Sequence, residues 1–132
     1  MMKILIGYNG TRVAKAALAL ARKYAKVFDA KVLVVTSMEG GVGEKVEEIA
    51  VAEEGLRFAK AFMSEDGVED CETHQLARGL SPGEDIVHFA RDHEVDMIIV
   101  GIEKKSRTQK LILGSTAQYI ILKGPCPVTT VK

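Results

Sequence analysis

The chain has 132 residues and 14.3 kDa, 47% hydrophobic and 27% charged, with 18 basic residues balanced by 18 acidic ones. That length makes one domain, expected over residues 1–132, which on folding buries about two-thirds of its unfolded surface and needs no disulfide or structural metal. Cancelled charge gives no global pull toward nucleic acid or an anionic membrane, and no apolar run reaches the roughly 18 residues that span a bilayer. The amino terminus, MMKILIGYNG, lacks the pattern of a signal peptide. Cys71 and Cys126 fit no CxxC or zinc spacing and read as reduced thiols of an intracellular protein.

Lys3 to Tyr8 (KILIGY) is a short apolar run stopped by the turn pair Asn9-Gly10, and reads as a strand. Thr11 caps a helix whose apolar face carries Val13, Ala16, Ala17, Leu20, Tyr24 and Val27 at three- and four-residue steps. Lys31 to Thr36 (KVLVVT) is almost continuously apolar, the pattern of a parallel strand covered on both faces. The glycine-rich stretch Glu39 to Gly43 follows, the loop with the greatest backbone freedom. From Glu44 to Met63 a long helix sets Val46, Ile49, Ala52, Leu56, Ala59 and Met63 on one side. Its Glu47, Glu48, Glu53 and Glu54 read as a solvated face, not a metal site, and Asp66-Gly67 stops it.

Asp70 to Ala77 alternates weakly and reads as an edge strand. Ser81-Pro82-Gly83-Glu84 is a capping box with proline at the first helical position, and Ile86, Val87, Phe89 and Ala90 form the buried side of that helix. His88 and His93 stand five apart, on no common helical face, and His74 has no partner in sequence; none reads as a ligand. Met97 to Gly101 (MIIVG) is a buried strand, Gly114 to Leu122 a helix cut off at Gly124-Pro125, and Pro127 to Val131 (PVTTV) the last strand.

Strict alternation of strands and helices predicts a mainly parallel sheet between two helical layers. Ligands of such sheets bind beyond the carboxyl ends of the strands, where strand order reverses, which directs attention to Asn9-Gly10 and Gly101. After Gly101 a basic segment (Lys104, Lys105, Arg107, Lys110) leads to Gly114-Ser115-Thr116, which opens a helix. The first amides of a helix and the positive end of its dipole suit a phosphate, and a glycine admits close approach. The plainer alternative is a solvated basic loop followed by an ordinary Ser/Thr cap. No GxSxG, HExxH or Walker A sequence occurs, so nucleophilic, zinc-protease and P-loop chemistry lack support.

With Gly101, Gly114 and Ser115 at their spacing, Ala117-Gln118-Tyr119, and Pro125-Cys126-Pro127-Val128 behind them, the chain resembles the universal stress protein family. Ile4-Leu5-Ile6 with Asn9-Gly10-Thr11, then Gly79, Ser81-Pro82 and Asp96 to Gly101, extend the resemblance over the whole length. The resemblance implies a Rossmann-like doubly wound α/β fold, a five-stranded mainly parallel sheet of order 3-2-1-4-5 with helices on both faces. It also implies a cytoplasmic homodimer made by antiparallel pairing of the last strand, Val128 to Val131, which would otherwise be an apolar edge.

One branch of the family binds ATP through its glycine-rich loop and another does not. By this resemblance the strand end at Thr36, Ser37 and Met38 meets the adenine, and Ser115 and Thr116 hold phosphates with Ser106 and Arg107 nearby. Tyr8, Asn9, Thr11, Gly101, Lys104 and Gly114 complete the implied nucleotide set. Lys104 replaces the motif's second glycine, so its side chain either blocks backbone approach or reaches the phosphates as a point charge. Asn9 replaces an acidic residue, which weakens metal ligation there and eases repulsion with a polyphosphate. The expectation is therefore a module for ATP or AMP, with magnesium accompanying ATP, acting in stress response or signalling through an unidentified protein partner. Neither nucleic acid nor a membrane is an expected partner, and no catalytic or metal-ligating residue is named. The alternative is an interaction module of the same fold without nucleotide. For slow ATP hydrolysis the nearest candidate base is Glu103, while the acidic cluster of a receiver domain is missing from Tyr8 to Thr11.

Overall fold

The computed structural model describes residues 1–38, 46–103 and 113–132. The elements are β1 (Lys3–Gly7), α1 (Arg12–Phe28), β2 (Lys31–Met38), α2 (Val46–Glu65), β3 (Cys71–Ala77), α3 (Pro82–Asp92), β4 (Met97–Gly101), α4 (Ser115–Lys123) and β5 (Val128–Val131). The strands form one parallel sheet in the order β3-β2-β1-β4-β5, the order expected. The stretch Glu39 to Gly43 and the basic segment from Lys104 to Lys110 lie outside the described residues.

Period-two alternation divides the central strands between two cores. Ile4, Ile6, Val32, Val34 and Ile99 face α1 and α2, while Leu5, Leu33, Val35 and Ile98 face α3 and α4. Both faces of β1 and β2 are therefore dry, which is why their sequences are apolar throughout. Among the described residues no helix is long and apolar enough to cross a membrane.

The buried stripe of α1 is Val13, Ala14, Ala17, Leu18, Ala21 and Ala25, rotated from the one expected. Ala16, Leu20 and Tyr24 are half-buried on its flank, and Val27 is 69% exposed. Small alanines at 14, 17, 21 and 25 let the helix lie close on the sheet, and the larger side chains are displaced to its edge. In α2 only Leu56, Ala59 and Met63 are buried, while Val46 and Ile49 of the predicted face are exposed. A twenty-residue helix is about 30 Å long. The seven-residue β3 beside it spans about 23 Å, so the first turns of α2 overhang the carboxyl end of the sheet.

The helix start at Pro82 is as expected, but the capping box does not close: Ser81 makes no side-chain cap, and its Oγ donates to Glu84 Oε1 at 2.9 Å. The Ser81 hydroxyl is turned toward the Glu84 carboxylate, and its oxygen accepts from no amide of the helix. His93 sits at the C-cap of α3, stacked on Phe89 at 3.8 Å, with its Nδ1 donating to the Phe89 carbonyl at 3.0 Å. His74 does have a partner, Glu72 Oε1 at 3.2 Å, two residues back on the same face of β3. Both cysteines are free thiols, and burial pushes that of Cys71 up to about 11. Cys71 is thus a protonated packing group at ordinary pH.

Candidate functional site

Strand order reverses between β1 and β4, and beyond their carboxyl ends opens a cleft of about 440 Å³. That volume falls in the range of about 300–1,000 Å³ typical of small-molecule sites. Tyr8, Asn9 and Thr11 line it from the β1 side, Gly101 from β4, Ser37 from β2, and Gly114, Ser115 and Thr116 from the start of α4. These eight expected site residues, separated by up to 108 positions in sequence, converge on one cavity. Met38 lies in a second, more apolar cleft of about 490 Å³, which shares Tyr8, Asn9 and Thr36 with the first. Its outer wall is the overhanging start of α2, through Val51, Ala52, Gly55 and Phe58. Lys104, Ser106 and Arg107 lie outside the described residues.

Each wall has a local cause. Asn9 Oδ1 accepts from the Thr11 amide (3.2 Å) and the Thr11 hydroxyl (2.8 Å), and Thr11 Oγ1 accepts in turn from the Ala14 amide (3.2 Å). This turn ends β1 and starts α1, so the Asn9 carbonyl oxygen is already engaged by the protein's own backbone. Tyr8 is buried and stacked on Phe58 at 6.3 Å, and burial raises the pKa of its phenol.

Gly101 and Gly114 differ in the reason for being glycine. A Cβ on Gly101 would stand 2.7 Å from both the carbonyl carbon and oxygen of Val13, so β4 passes directly against the first turn of α1. Gly114 is the N-cap of α4 with φ −67° and ψ 162°, a conformation open to any residue. Among the described residues beyond its two chain neighbours, no atom lies within 4 Å of where its Cβ would be. As a glycine it has no side chain to close the helix's first amides, and Ser115 and Thr116 add hydroxyls beside them.

The end of β2 is tied in three directions. Thr36 Oγ1 donates to the Tyr8 carbonyl (2.9 Å), Ser37 Oγ to Asp85 Oδ2 (2.8 Å), and Gln75 Nε2 to Met38 Sδ (3.3 Å). Asp85 is fully buried and also accepts from Arg78 Nε at 2.6 Å. Sequence reasoning missed both: acidic residues in a first helical turn ordinarily face solvent and complement the dipole. Pro82 and Ile86 of α3, which line the first cleft, were also missed as site residues, since they read only as a helix start and a core position. Glu103 does line the first cleft and is exposed. Among the described residues no cluster of His, Cys, Asp and Glu is arranged to hold a metal ion.

A parallel sheet with a cleft at its switch point, a polar half beside a helix start and an apolar half beneath an overhanging helix, places the chain among the doubly wound α/β proteins. Residues 1–132 match the family described as Universal stress protein family, and the chain belongs to it. A universal stress protein of Thermus aquaticus is 33% identical over 135 residues, covering 98% of this chain and 97% of that relative. The solved structure of a universal stress protein from Archaeoglobus fulgidus superposes with a TM-score of 0.92 at 38% identity, covering 100% of this chain and 99% of the other. The structure of the universal stress protein from Archaeoglobus fulgidus in complex with dAMP gives a TM-score of 0.86 at 34% identity, covering 100% of this chain and 98% of the other.

Proposed function

We propose that this chain is a single-domain, homodimeric module that binds an adenine nucleotide, AMP or ATP, and signals its occupancy to a protein partner in the stress response. The observation that carries this reading is Gly114: a glycine whose conformation does not require one, whose missing Cβ is contacted by no described atom beyond its chain neighbours, at a helix start facing the cleft. A guest's phosphate would supply the reason. The dAMP complex of the 34% identical relative supports the same class of ligand. On this reading Gly114, Ser115 and Thr116 hold the phosphates, and the basic side chains of Lys104 and Arg107 add positive charge to the same segment. The base lies toward Ser37 of the first cleft and Met38 of the adjoining apolar one, and Tyr8, Asn9 and Thr11 border the nucleoside. A magnesium ion would accompany ATP through its phosphates, since no acidic cluster stands there among the described residues.

Two observations favour the competing reading of an interaction module without nucleotide. The Asn9 carbonyl oxygen is engaged by Thr11, and Gly101 is explained by packing alone. Isothermal titration of the purified protein with AMP and with ATP, with and without magnesium, decides between them. Saturable binding tighter than millimolar is expected, and its absence for every nucleotide overturns the proposal. Dimerisation rests on β5, an edge strand with Val128 and Val131 only partly covered. Light scattering on the eluted protein would return twice the 14.3 kDa chain mass.

A further inference from the structure

The buried carboxylate of Asp85 stands outside both clefts and yet is bonded to a residue that lines one. Its side chain is wholly inaccessible, and a buried charge is retained only when paired and hydrogen-bonded. The pairing is with Arg78, whose Nε donates to Oδ1 at 2.6 Å and whose Nη2 donates to the Asp85 carbonyl at 3.2 Å. The carboxylate's second oxygen accepts the Ser37 hydroxyl.

What Ser37 offers follows from strand geometry. The Val35 carbonyl faces β1, where it accepts from the Tyr8 amide at 2.8 Å. One strand period later the Ser37 N–H and C=O face the same side. Pairing with β1 stops at Gly7 and Val35, and the chain turns away at Asn9-Gly10, so among the described residues no strand stands opposite the Ser37 main chain. On the other edge, pairing with β3 continues through Met38 and Ala77. An adjacent N–H and C=O on an open edge complement a ring nitrogen acceptor beside an amino donor, the edge of adenine; a 6-oxo purine presents the reverse.

We propose that Asp85, held by Arg78, is a positioning residue that acts through Ser37 to give the site its preference for adenine over a 6-oxo purine. The inference rests on the nucleotide reading above and deepens it. The test is titration of AMP and IMP into the wild type and into Ser37→Ala and Ser37→Thr variants. The wild type prefers AMP. Ser37→Ala lowers the AMP-to-IMP affinity ratio about three- to tenfold, the range of one hydrogen bond, with the loss falling on AMP. Ser37→Thr keeps the hydroxyl and restores the ratio. A Ser37→Ala protein whose ratio is unchanged, whether both affinities fall together or neither moves, overturns the inference while leaving nucleotide binding intact. A wild type that binds neither nucleotide overturns the underlying reading and this inference with it. Should Ser37→Ala fail to fold, Arg78→Gln, at a half-exposed side chain, carries the same comparison with the same two outcomes.

Discussion

The two ends of this parallel sheet are built differently. At the amino ends of the strands, main-chain and side-chain bonds close the structure: Lys3 N donates to Asp96 Oδ2 at 2.8 Å, Lys31 N to the Met2 carbonyl at 2.8 Å and Val32 N to the Asp70 carbonyl at 2.9 Å. Lys3 Nζ donates to the His93 carbonyl, and Lys31 pairs with Glu72. At the carboxyl ends the strands stop at different heights, β1 before β2, and two clefts open between them. One end is saturated with its own contacts, while the other leaves hydroxyls and helix amides facing a cavity. Substitutions at the amino end should therefore act on stability and those at the carboxyl end on ligand affinity, with one exception that sharpens the rule.

That exception is Gly101. It lines the cleft, yet its missing Cβ is the space occupied by the Val13 backbone. Gly101→Ala forces backbone against backbone, an overpacking expected to cost about 3 kcal/mol and to lower Tm by roughly 10 °C. Denaturant unfolding with an unchanged m-value checks it. Stability equal to wild type would show that β4 and α1 are not in the contact described. Gly114→Ala is the counterpart. A new Cβ there meets no described atom beyond its chain neighbours, and losing a glycine N-cap costs at most about 1 kcal/mol. The effect belongs instead in affinity: the methyl group enters the space a phosphate would take, and AMP should bind about tenfold more weakly, the worth of one charged hydrogen bond. Unchanged affinity with full stability would remove Gly114 from the site.

These two glycines also mark how far the sequence could be read. Element order and type were legible because apolar runs and three- and four-residue spacings are local, and the likeness to a known family added the strand order. Within that likeness Gly101 and Gly114 are equivalent, since a motif records that a glycine is present and not whether backbone or open space lies beyond it. In sequence the nearly continuous apolar run of β2 extends from Lys31 to Thr36. The strand continues to Met38 because its pairing with β3 runs on through Met38 and Ala77, and the Ser37 hydroxyl is satisfied by Asp85, 48 positions away. That partnership and the Arg78 that completes it depend on α3 lying against β2, which no local pattern contains. Likewise Val27 fits a helical stripe in sequence, but alanines decide which side of α1 can approach the sheet.

At the amino end the smallest effect concerns Glu72 of β3, whose carboxylate takes a hydrogen bond from Lys31 and a second from His74. The Lys31 bond, aided by that from His74, lowers the Glu72 pKa from its ordinary value of 4.5. In the unfolded chain this carboxylate takes up its proton near 4.5, while in the folded chain it does so only at lower pH. The stabilisation is therefore complete above about 4.5 and is lost as pH falls through the folded value. The side chain is 46% exposed, so water and salt screen the pair and the contribution is that of a surface ion pair. Glu72→Gln should remove part of the acid-side slope of Tm against pH, change Tm at neutral pH by no more than about 2 °C, and lose even that in 1 M salt. Nucleotide affinity should not move, because Glu72 lines neither cleft. A Glu72→Gln protein with altered AMP affinity would show that the two ends of the sheet are coupled, and the division between them would fail.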